Sequence, residues 1–148
     1  MSEMTVPYGF GATVQAPYDQ AVLLTRAALA AEGFGVLTEI DVRATLRNKL
    51  DVDFRPYVIL GACNPPLAHK ALTAELEIGL LLPCNVVVRA ADDPAHSVVM
   101  VMDPEAALSL ARNSDIAPFA AEVRERLQRV LSTVVDEARQ QHEIDVEC

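Results

Sequence analysis

Residues 56–79 read PYVILGACNPPLAHKALTAELEIG, and the stretch changes periodicity halfway along. From Pro56 to Ala62 it is an almost unbroken apolar run around Tyr57, Val58, Ile59 and Leu60, the pattern of a strand covered on both faces and so central in its sheet. Asn64 followed by Pro65 then starts a helix. The Asn side chain caps free amides, and proline's fixed φ suits the first helical position. The spacing of Ala68, Ala71, Leu72, Glu75 and Leu76 predicts an amphipathic helix running to Gly79.

The same alternation extends in both directions. Upstream, Phe10, Ala12, Val14 and Ala16 mark one side of a first strand over residues 8–16. A helix follows from Pro17 to Glu32, with Tyr18, Val22, Thr25 and Leu29 on one face and Gly33 as its stop. Residues 36–40 read as a second strand, and Asp41 is placed to cap a short helix carrying Val42, Leu46 and Leu50. Downstream, residues 80–83 lead into a strand at Val86, Val87 and Val88, which the Asp92-Asp93-Pro94 turn separates from a partner over residues 97–102. Asp103-Pro104 repeats the cap-then-proline signal. A long final helix follows, with Phe119, Val123, Leu127, Leu131, Val134 and Ala138 on one face and Arg124, Glu125, Arg126, Gln128 and Arg129 turned mostly to solvent. The order βαβαβαββαα predicts an α+β two-layer sandwich. Its sheet is expected to be mixed, because helical crossovers favour parallel neighbours and the hairpin adds an antiparallel one.

At 148 residues, 51% of them hydrophobic, the chain is expected to form one domain over 1–148 with a core that needs no metal or disulfide. Past residue 140 the apolar pattern stops, and residues 143–148 are expected to fray. Twelve basic against 21 acidic side chains give a net charge of −9, which repels nucleic acid and anionic membranes. The apolar runs are far shorter than the roughly 18 residues of a membrane helix. The acidic Met1-Ser2-Glu3 start, lacking a basic region and apolar signal core, points to a cytoplasmic protein. In a reducing compartment the three cysteines stay as thiols.

Three blocks, GFGVLTEIDV from Gly33, LGACNPPLA from Leu60 and GLLLPCNV from Gly79, with Lys49 between the first two, resemble the family catalogued as domain of unknown function 302. The resemblance covers residues 8–102, leaving 103–142 as a C-terminal helical extension. It implies a small α+β domain that is often a homodimer. The family has no agreed activity, so the resemblance implies neither a reaction nor a cofactor.

The chemistry concentrates in a duplicated doublet, Cys63-Asn64 before a helix and Cys84-Asn85 before a strand. A thiol at a helix N-terminus meets unpaired amides and the positive dipole end, which favour thiolate and lower the pKa from about 8.5. Cys63 is therefore the better candidate nucleophile, and Cys84 reads first as a packed residue. Cys148 lies in the tail. The Cys63 to Cys84 spacing is not a zinc pattern, and His69, His96 and His142 read as surface or turn residues, so no metal site is assigned. Glu39, Asp41 and Lys49 form a second candidate group, an acid and an amine that would shift one another's pKa if a cleft joined them. The plainer roles are a strand salt bridge for Glu39, a helix cap for Asp41 and a solvated charge for Lys49. Asn64 and Asn85 are candidate ligand-binding residues with capping and turn formation as alternatives. GxGxxG, GxxxxGK[ST], GxSxG and HExxH are absent.

Two functions compete on this reading. One is a homodimeric module that binds a small anionic ligand or a soft metal in a pocket of Cys63, Asn64, Cys84, Asn85, Glu39 and Lys49. The other is a thiol-dependent enzyme or redox factor, in which Cys63 attacks, Cys84 resolves, and Lys49 with Glu39 manages protons. A structural or assembly role is third, with the last helix as a dimer surface.

Overall fold

A six-stranded sheet forms one layer of the computed structural model, which describes residues 2–147. The strands are β1 (Ser2–Val6), β2 (Gly9–Val14), β3 (Gly35–Asp41), β4 (Tyr57–Cys63), β5 (Cys84–Ala90) and β6 (Ser97–Met102), in spatial order β1-β2-β6-β5-β4-β3. Between them run α1 (Tyr18–Ala31), α2 (Val42–Leu50) and α3 (Pro65–Ala74), and after β6 come α4 (Pro104–Leu108) and α5 (Ala117–Glu147). The α+β class and the long last helix agree with the sequence reading, and after β1 the order of elements is the expected one.

The direction of the strands is not the expected one: every neighbouring pair is antiparallel. The helices after β3 and β4 do not cross the sheet. α2 and α3 each turn back at the end where their strand stops, so the next strand returns beside it. Only α1 crosses, carrying the chain from β2 to β3 beneath β6, β5 and β4, and those two strands are too far apart to pair. β1 has no counterpart in the sequence reading; its short SEMTV run carries too little apolar alternation to announce an edge strand.

Helices α1 and α5 pack together under one face of the sheet. Strand parity sends Val14, Val58, Leu60, Val86, Val88, Val99 and Val101 into that layer, where they meet Leu29, Val123, Leu127, Val130 and Val134, all buried. Each fully buried aliphatic side chain of this kind stabilises the fold by about 1.5–3 kcal/mol relative to exposure. α1 ends as predicted at Gly33, whose φ of 85° is left-handed. Gly33 N–H donates to Ala30 O and Phe34 N–H to Leu29 O, a Schellman closure in which glycine avoids the Cβ penalty. The arginines of α5 are less solvated than their pattern implies. Arg126 Nη1 donates to Glu32 O at 2.9 Å and Arg129 Nε meets Glu32 Oε1 at 2.9 Å, so both clamp the C-terminal end of α1. Arg124 lies 5.0 Å over the Phe10 ring and 3.2 Å from Asp103 Oδ1.

Two helix limits also shift. α3 stops at Ala74, because Glu75 adopts an extended backbone (φ −155°, ψ 110°) and a short 3-10 turn, Leu76–Leu81, follows. α5 continues to Glu147, beyond the end of its apolar pattern, with Gln141 donating to Asp145 at 3.0 Å in the added turns. Cys148 lies outside the described residues.

Candidate functional site

Asn64 and Asp41 are placed by the same local rule. Asn64 Oδ1 accepts from Leu67 N–H at 3.3 Å and Asp41 Oδ1 accepts from Ala44 N–H at 2.9 Å, so each caps the helix that follows its strand. Asp103 does the same for α4. The side chains of the capping residues are thereby occupied by backbone.

Cys63 ends β4 and Cys84 begins β5. Cys84 is in register with Ala62, so by strand alternation it points with Val86 into the helix layer, whereas Cys63 shares the opposite side with Gly61. The thiols are near enough for Cys63 to help raise Cys84; both are free, and strand alternation turns adjacent register positions to opposite faces. Burial pushes Cys84 up to about 12, with Cys63 a smaller cause, and burial also pushes the Cys63 thiol up. This reverses the lowering expected of Cys63. Withdrawal from water at the strand end is the cause of the rise, and the start of α3 offers the thiol few free donors, since Pro65 and Pro66 have no N–H and Leu67 N–H is taken by Asn64. The cleft shared by Cys63, Asn64, Cys84, Phe34, Pro83 and Phe119 encloses about 10 Å³, room for about one water.

Glu39 and Asp41 lie on the helix side of β3. Glu39 Oε2 is 2.6 Å from Arg26 Nη2 of α1. Asp41 and Glu39, with Asp19, add to the burial that raises the Tyr18 phenol. Lys49 is exposed on α2 and makes no ion pair among the described residues. Because Glu39 pairs with Leu60 and Asp41 with Val58, they stand about 10–16 Å along β4 from Cys63. The structure thus divides the expected pocket between two ends of the sheet. Asn85 is exposed on the outer face, away from the core. Among the described residues no three His, Cys, Asp or Glu side chains gather as a metal set, and no helix is long and apolar enough to cross a membrane.

Sequence reasoning expected β4 to be central and covered on both faces; it stands instead beside the edge strand β3, and its outer face belongs to the uncovered side of the sheet. Cross-strand register lines up Met4, Gly11, Met100, Val87, Ile59 and Ile40 in one row over all six strands. Thr13, Val98, Arg89 and Tyr57 form the next row on one side, and Met102, Asn85, Gly61 and Thr38 flank it on the other. Neither α1 nor α5 covers these rows, and α2 leans only on β3 and β4. Gly11 permits the close approach of β6: a Cβ there would lie 2.6 Å from Met100 Sδ and 2.8 Å from Met100 Cα. The available signal was alternation: Val87, Ile59 and Met100 are apolar at the positions where a one-sided sheet turns polar.

Fold and site together define a two-layer α+β domain with an antiparallel sheet open on one face. The family model described as Domain of unknown function DUF302 matches residues 10–134, and the chain belongs to that family. The match runs past Asp103 into α5. Among solved structures, the chain is similar to one described as "Crystal structure of uncharacterized conserved protein DUF302 from Bacillus stearothermophilus", at 27% identity and a TM-score of 0.79, covering 86% of this chain and 98% of that one. No curated protein matches.

Proposed function

We propose that the protein acts as a homodimeric binding module joined through the open face of its sheet. The observation that carries this reading is the distribution of charge. On a chain with 21 acidic residues, the register assigns no Asp or Glu to that face and one cation, Arg89. Depletion of charge at the centre of a patch is the compositional mark of an interface, and an isologous pair needs a self-complementary surface, which an apolar row supplies. Six strands about 4.8 Å apart and about 20 Å long present a projected area of about 480 Å². Side-chain relief enlarges this towards the about 800 Å² per partner of a standard interface. Exposed Leu37 and Ile40 extend the patch at the β3 edge.

The thiol-dependent alternative draws little support from the geometry, since both thiols are held protonated by burial and Lys49 and Glu39 stand apart from them. The test is oligomeric state by sedimentation velocity over about 1–100 µM. A wild-type dimer is expected. Val87→Glu, which would bury two unpaired carboxylates, is expected to weaken it at least about 100-fold while leaving the far-UV circular dichroism unchanged. A monomeric wild type, or a folded Val87→Glu protein that dimerises as before, overturns the proposal.

A further inference from the structure

We infer that a depression at the corner of the open face binds a small organic oxyanion carried on a flat apolar group, such as an aryl phosphate or aryl carboxylate. Phe54, Arg55, Tyr57, Arg89 and Asp92 line it; it is shallow and open to solvent, with about 430 Å³ of space over these residues. Two strands and two connecting segments build it. Tyr57 opens β4 in register with Arg89 of β5, while Phe54 and Arg55 come from the segment before β4 and Asp92 from the turn after β5.

Arg55 is held by two anchors, Nη1 donating to Ala90 O at 3.1 Å and Nη2 meeting Asp92 Oδ1 at 3.1 Å. Arg89 Nη1 reaches the same carbonyl at 3.4 Å. Both guanidiniums therefore converge on one oxygen, and Arg89 has no carboxylate partner among the described residues. The lining itself holds two cations and one acid, on a chain of net −9. Arg89 keeps its remaining donors free of any carboxylate among the described residues, and planar guanidinium donors match carboxylate or phosphate oxygens. Beside them the Phe54 and Tyr57 rings stand 6.0 Å apart at 57°, and Phe54 is 42% exposed. They form an aromatic wall suited to a flat partner. Arg124, the arginine that lies over an aromatic ring, already has its carboxylate in Asp103.

Arg89 and Tyr57 also lie on the face proposed as the dimer surface, so dimerisation covers part of the site, and sedimentation of the same samples, titrated below and above the dimer's midpoint, separates the two results. The probes are phenyl phosphate and inorganic phosphate, titrated into the full-length protein at low salt and followed by amide chemical shifts. Saturable binding of phenyl phosphate, tighter than that of inorganic phosphate, is expected. Arg89→Gln should lower its affinity at least about tenfold. Phe54→Leu should remove the preference for phenyl phosphate and keep the weaker phosphate binding. The inference is overturned if phenyl phosphate fails to saturate at about 10 mM. Equal affinity for both probes, or an Arg89→Gln protein with unchanged melting temperature that binds like wild type, overturns it as well.

Discussion

Cys84 makes alkaline pH a direct probe of the core. In the unfolded chain its thiol titrates at the ordinary 9.0, and in the fold it is held up to about 12. A raised folded pKa means that between these values the native state keeps a proton the unfolded chain has lost. Its contribution to stability is therefore full below pH 9 and is lost as pH rises towards 12. The slope approaches about 1.4 kcal/mol per pH unit, and integration from pH 9 to 11 gives a loss of about 2 kcal/mol from this one group. Other groups titrate in the same range, so the measurement is a difference. Urea unfolding at pH 8, 9, 10 and 11 is compared for wild type and Cys84→Ala. The variant should start less stable from its lost packing and converge on wild type by about 2 kcal/mol at pH 11. Alkylation offers an independent check. At pH 8 a shift of this size cuts the thiolate fraction about a thousandfold, so native Cys84 should label far more slowly than a peptide thiol. Parallel stability curves for the two proteins, or native labelling of Cys84 at the peptide rate, would refute the assignment of this thiol to a dry core.

Two further outcomes concern residues that sequence reasoning placed near chemistry. Asn64→Ala removes the Leu67 N–H acceptor and should cost about 1 kcal/mol in urea unfolding, with Asn64→Asp recovering most of it; a neutral Asn64→Ala would deny the capping role. Glu39→Gln breaks an ion pair whose side chains are 35% and 51% exposed, so thermal unfolding should register less than about 1 kcal/mol, diminishing further in high salt.

The parts of the fold legible in the sequence are those governed by neighbours along the chain. The caps at Asp41, Asn64 and Asp103, the proline-started helices and the glycine stop at Gly33 each depend on residues within about five positions. Strand direction depends instead on whether a helix crosses the sheet or turns at its end, and α2 and α3 have the same local pattern either way. β1 was missed for a related reason: an edge strand with one partner needs little apolar alternation of its own. The arginines of α5 looked solvated on a helical projection, but the C-terminal carbonyl of α1 and the Phe10 ring, both distant in sequence, engage them.

The repeated Cys-Asn doublets show why similar neighbours did not make one site. In both, the cysteine sits at the end of a strand and the asparagine follows, but β4 leaves the sheet at its doublet and β5 enters at its own. Asn64 consequently turns into a helix cap, while Asn85 stays in the pleat and faces outward. Parity then separates the thiols, sending Cys84 under the sheet and leaving Cys63 above it. The same parity that dismantles the expected pocket assembles the open face, because it also places Tyr57, Ile59, Val87, Arg89 and Met100 together across three strands. Interstrand register, which is set by contacts far apart in the chain, therefore decides which residues share the open face. Residue adjacency alone had placed the candidate site at the cysteines.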